Sequence, residues 1–143
     1  MLTKQNKEHH LKQMRNQRRE MIISLYQYDF YQNQLPKEQK CHQFPSNILW
    51  FTKIINNLTI IDNIIKSNLY NYQLNRLNKV DKAIVRLATA EFLERKINYK
   101  IIMNEMIEFT KEYSSLNDHK QYKFTNKLLQ LIYENIVQNK YQI

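Results

Sequence analysis

This chain of 143 residues contains no glycine, only two prolines and a single cysteine. Average usage would supply about ten glycines, so tight hairpins and phosphate-cradling glycine loops have little to be built from. Asparagine, which tolerates the left-handed conformation better than other non-glycine residues, is expected at turns and helix C-caps instead. Pro36 and Pro45 alone interrupt the chain, and the fold class that follows is all-α. Cys41 by itself excludes an internal disulfide, and no apolar run approaches the roughly 20 residues needed to span a bilayer. The N-terminus is basic and polar with no apolar segment behind it, which excludes a secretory signal. The expectation is one cytoplasmic domain, 1–143, with no membrane partner.

What the chain does have is positive charge. The formal net charge is +9, a balance that favours an acidic polymer or an anionic surface as partner, with compositional drift toward lysine as the bland alternative. Lys4, Lys7, Lys12, Arg15, Arg18 and Arg19 stand against one acid, Glu8, so more than half of that charge falls in the first nineteen residues. Residues 1–14 read as a basic, partly flexible extension. Behind them Met21, Ile22, Leu25 and Tyr28 or Asp29 share one helical face, with Tyr26 and Phe30 on an adjoining one. This first helix should stop before Pro36.

Ser46 or Asn47 is placed to cap a second helix after Pro45. Phe51, Ile54, Ile55, Leu58, Ile61 and Ile65 continue it as a stripe, which Thr59 or the Asn56 and Asn57 pair divides in two. Leu69 to Leu77 reads as a turn or short helix. The central element follows at about Val80 to Arg95, where Ala83, Ile84, Val85, Leu87, Ala88, Ala90, Phe92 and Leu93 fall on every side of a helix, as suits one packed on all round. Ile102, Met106, Phe109 and Tyr113 give the next helix a single apolar stripe. The last runs from about Gln121, with Phe124, Leu128, Leu131 or Ile132, and Asn135 or Ile136 inward.

Few residues suggest chemistry. Glu8, His9 and His10 are adjacent and point about 100 degrees apart on a helix, so they read as a solvated turn rather than a metal site. Cys41 and His42 lack an orienting third group. With no paired carboxylate, serine elbow or phosphate loop, the expectation is no enzyme, no cofactor and no small-molecule substrate. The basic cluster of Lys12, Arg15, Arg18 and Arg19 suits phosphate, because guanidinium forks pair bidentately with phosphate oxygens. Tyr26 and Phe124 are either stacking platforms for unpaired bases or core, and Lys120 and Lys123 add charge beside Phe124. Glu91 and Arg95, four apart, read as a surface ion pair, or the exposed positions of the central helix border a partner groove at Asp81.

The run from Asn75 to Tyr113, with KFTNKLL from Lys123, resembles the NusB family of bacterial transcription antitermination proteins. The similarity is carried by Val80, Asp81, Ala83, Val85, Arg86 and Ala88 in the central helix. It continues through Asn104, Glu105, Glu108 and Lys111, then Lys123, Phe124 and Asn126. Upstream, SLYQYDF at Ser24 to Phe30 and the IIDNIIKSNL segment are similar to the family's earlier helices. The resemblance implies a compact all-helical bundle of two packed helical subdomains without catalytic activity. It implies binding of boxA-type single-stranded RNA together with NusE, a ribosomal protein, within a transcription elongation complex. On this chain RNA contact would fall to Arg15, Arg18 and Arg19, with Tyr26 following, and to Lys123 and Phe124; Asp81 would border the NusE groove. The family's glycine after the terminal asparagine is Lys127 here, its proline before Tyr99 is Asn98, and its Phe-Gly is Tyr113 and Ser114. Extra residues before Lys123 leave Asp118 unmatched to the family's acidic RNA-contact position. Two other readings are an isolated module of this fold acting on ribosomal RNA, and a helical bundle that binds only protein.

Overall fold

The computed structural model describes residues 3–34, 45–70, 73–113 and 119–143, apart from the side chains of 32–34 and 119–121. Among these residues there are six α-helices and no strand: α1 (Lys4–Gln34), α2 (Ile48–Asn56), α3 (Leu58–Ser67), α4 (Lys79–Glu94), α5 (Tyr99–Tyr113) and α6 (His119–Asn139). A single 3-10 turn, Leu74–Arg76, leads into α4. Residues 4–14 of the basic N-terminal segment are helical and continuous with the rest of α1. Pro36, Cys41 and His42 lie outside the described residues, while Pro45 stands two residues before Asn47, the N-cap of α2.

Every residue of α4 from Asp81 to Leu93 is buried. The helix packs against α1, α3, α5 and α6, and its alanines let those neighbours approach closely. Ile84, Leu87, Ala88, Ala90 and Leu93 are fully enclosed, and the buried stripes of the other helices close on them in one hydrophobic core. The helices therefore share a single interior. The Asn56 and Asn57 pair does divide its stripe, and α2 and α3 meet at a 59° bend. Among the described residues no single helix is long and apolar enough to cross a membrane.

Asparagine serves the helix starts rather than the left-handed positions. Asn47 accepts from the Trp50 amide at 3.1 Å, Asn78 from Val80 at 2.9 Å and Asn98 from Lys100 at 2.9 Å. Each satisfies one of the donors that a helix start leaves unpaired. Asn57 and Asn68 do take the C-cap positions of α2 and α3, but at negative φ; among the described residues the left-handed conformation falls to Arg95 and Lys140, both at φ 57°. Arg95 has a reason to accept that conformation: its guanidinium donates to the carbonyls of Ile136 and Tyr141 and ties the end of α4 to the end of α6.

Candidate nucleic-acid interface

At 100 degrees per residue, Lys12, Arg15, Arg19 and Tyr26 are spaced by three, four and seven positions and form one stripe along α1. Arg18 does not belong to it. Together with Ile22, Leu25 and Asp29, at steps of four, three and four, it lies on the adjoining, inward face. The residue is 2% exposed, and its guanidinium makes three hydrogen bonds of 2.9–3.2 Å to both carboxylate oxygens of Glu91, itself 4% exposed. Arg18 is therefore enclosed and set apart from the exposed basic stripe on which it was expected, and Glu91 pairs with it rather than with Arg95. Burial pushes the Glu91 carboxyl up from its usual range, against the hydrogen bonds and charge of Arg18.

A second buried cluster sets the other end of α1. Asp29 accepts from Lys82 at 2.9 Å and Arg86 at 3.2 Å, and Arg86 forks onto Asp62 of α3 at 2.8 and 2.9 Å. Burial would raise Asp29, but the Lys82 hydrogen bond and the charges of Lys82, Arg86 and Lys79 outweigh it and hold the carboxyl below its usual range. Pairing of Arg18 with Glu91 and of Asp29 with Lys82 requires α1 and α4 to run antiparallel. These ties fix the rotation of α1, and so the direction its basic stripe faces.

That stripe meets α5. Arg15 donates from Nε and Nη2 to the two oxygens of Glu105, at 3.0 and 3.1 Å. The hydrogen bond and charge of Glu105 raise the Arg15 pKa. Arg19 reaches Glu112 at 3.4 Å, and its guanidinium carbon stands 5.6 Å from the centroid of the Phe109 ring. Between the helices a cleft of about 350 Å³ is lined by these residues with Glu108 and Lys111. Lys111, half exposed, lies 5.2 Å above the Tyr122 ring, a contact that carries the basic surface from α5 to the start of α6.

There the structure brings together much of the expected far end. Lys123 is exposed and Phe124 is 39% exposed; Thr125 takes the inward place expected of Phe124. Lys120 is in the first turn of α6, but its side chain lies outside the described residues. Tyr26 is 36% exposed and Lys12 is also exposed. Asp81, expected at the edge of an open groove, is only 8% exposed and its side chain is already engaged, in the first turn of α4. Residues that the sequence reading missed are Glu105, Glu112 and Lys111 as members of this face. Their spacing on α5, Glu105 to Glu112 over two turns, was the available signal. Among the described residues no three of His, Cys, Asp and Glu gather to hold a metal.

Comparison with known proteins agrees with this architecture. The model of the NusB family matches residues 11–134. The chain is similar to a protein of Fervidobacterium nodosum named transcription antitermination protein NusB, 30% identical over 124 residues, 80% of this chain and 86% of that one. Proteins of the same name from Buchnera aphidicola and a Cyanothece species are 44% identical over 85 residues and 34% identical over 96. Those matches take in 59% and 67% of this chain and 57% and 44% of theirs, so the chain spans about half the length of these two relatives. A solved structure of NusB from T. maritima superposes with a TM-score of 0.68 at 30% identity, covering 84% of this chain and 89% of that one. With a family match over most of its length and the same helical architecture, the chain belongs to the NusB family.

Proposed function

We propose that this protein is a transcription antitermination factor that binds boxA-type single-stranded RNA together with NusE in a cytoplasmic elongation complex. The observation that carries the reading is the cleft that joins Arg15 and Arg19 of α1 to Lys111 of α5, with the Lys111 contact to Tyr122 leading to the exposed Lys123 and Phe124 on α6. Guanidinium and ammonium groups along it neutralise phosphates, while the exposed rings of Phe124 and Tyr26 offer faces on which unpaired bases stack. Such a surface needs no catalytic group, and the reading assigns none. The names of the relatives support the antitermination role.

NusE, in this reading, binds near the N-terminal turn of α4. Asp81 acts there through the turn it helps to hold, because a carboxylate in a helix's first turn favours the local dipole. Fluorescence anisotropy with a labelled boxA oligonucleotide and a scrambled one, with and without purified NusE, tests the reading. Binding of boxA in preference to the scramble, tightened by NusE, is expected. Absence of binding to either oligonucleotide at low salt with NusE present would overturn it.

A further inference from the structure

Both arginines that line the α1 and α5 cleft are already occupied by carboxylates. Glu105 fills the Nε and Nη2 edge of Arg15, the same two-donor fork that a phosphate would use. Glu112 engages Arg19 more loosely, through one contact at 3.4 Å. Glu108, between them in sequence, lies 3.8 Å from Lys111, so each cation lining the cleft has an acid from α5 beside it.

We propose that Glu105 and Glu112 mask Arg15 and Arg19, and thereby set the affinity and salt dependence of polyanion binding at this face. The proposal rests on the RNA-binding reading above. An RNA phosphate reaching either arginine must displace a carboxylate that is held in place by its own helix and loses no translational freedom by staying. The displaced carboxylate then takes up a cation from solution, which offsets part of the counterion release that drives phosphate binding. RNA binding is therefore weaker and less salt-dependent than the number of basic residues implies. Arg19, with the longer and single contact, yields first. Ligands that bring further contacts, such as bases stacked near Tyr122 and Phe124, are favoured over phosphate backbone alone.

The test compares Glu105→Gln and Glu112→Gln, singly and together, with Glu134→Gln, an exposed acid on α6 that accepts from Gln130. Each single change alters the net charge equally, so the control removes the general effect of added positive charge. Glutamine keeps the shape and an acceptor oxygen, and thermal unfolding checks that the fold is retained. RNA anisotropy is followed across a salt series. Glu105→Gln and Glu112→Gln should each tighten binding about two- to fivefold at low salt and steepen the salt slope by about 0.7, beyond any change in Glu134→Gln. Variants indistinguishable from Glu134→Gln, with a wild type that binds, overturn the masking alone. Binding by the double variant without NusE, under conditions where the wild type needs NusE to bind, supports it as near-complete masking. Absence of binding by all of them overturns both the masking and the RNA reading.

Discussion

Arg18 of α1 and Glu91 of α4, 73 residues apart in sequence, form a bidentate ion pair that is almost wholly enclosed. Two charges removed from water in this way gain little over a well-packed apolar pair, but breaking the pair strands one charge. Arg18→Met should therefore destabilise the protein by about 3–5 kcal/mol in urea denaturation. Arg18→Met combined with Glu91→Leu should recover most of that loss. A single variant as stable as wild type would show that the pair is not held as described.

Asp29 makes stability depend on acid. Its folded-state pKa lies below the ordinary value of 3.8, so the unfolded chain binds the proton more readily. The stabilisation is complete above the ordinary value and is lost as pH falls below it toward the lowered folded value. Unfolding midpoints measured from pH 6 down to pH 2 should fall more steeply in wild type than in Asp29→Asn, which is less stable at pH 6. Parallel curves for the two proteins would contradict the assignment.

Lys140 carries a left-handed backbone at φ 57° with an exposed side chain. A Cβ costs about 1–2 kcal/mol in that conformation, and glycine avoids it. Lys140→Gly should raise stability by about 0.5–1 kcal/mol, since glycine's greater freedom in the unfolded chain offsets part of the gain. A lower denaturation midpoint would contradict the expected backbone conformation. Arg95→Gly should not gain in the same way, because it also removes the hydrogen bonds to Ile136 and Tyr141.

Much of the fold was legible because period and punctuation carry it. The all-round apolar run of α4, the caps around Asn47, the break at the Asn56 and Asn57 pair and the stripe of α5 are local signals, and all appear in the structure. The site was legible only in part. Arg18 was grouped with Arg15 and Arg19 by charge type, although its spacing to Ile22, Leu25 and Asp29 places it on the buried face. Charged residues are rarely enclosed unless paired, and the partners Glu91, Lys82 and Arg86 lie too far along the chain for spacing to reveal them. Phe124 illustrates the reverse: a period count put it inward, but Thr125 holds that place and leaves the ring exposed.

The most direct test of the account compares Arg15→Gln with Arg19→Gln as a double variant against Phe124→Ala in RNA anisotropy over a salt series. The arginine variant should weaken binding to boxA and scrambled oligonucleotides alike and flatten the salt slope, by at most about 0.7 units per arginine. Phe124→Ala should cost about 1–3 kcal/mol of boxA affinity with the slope nearly unchanged, because stacking releases no counterions. If both variants bind as wild type does, or if both change the slope equally, the α1 stripe and the start of α6 do not form one RNA-binding surface.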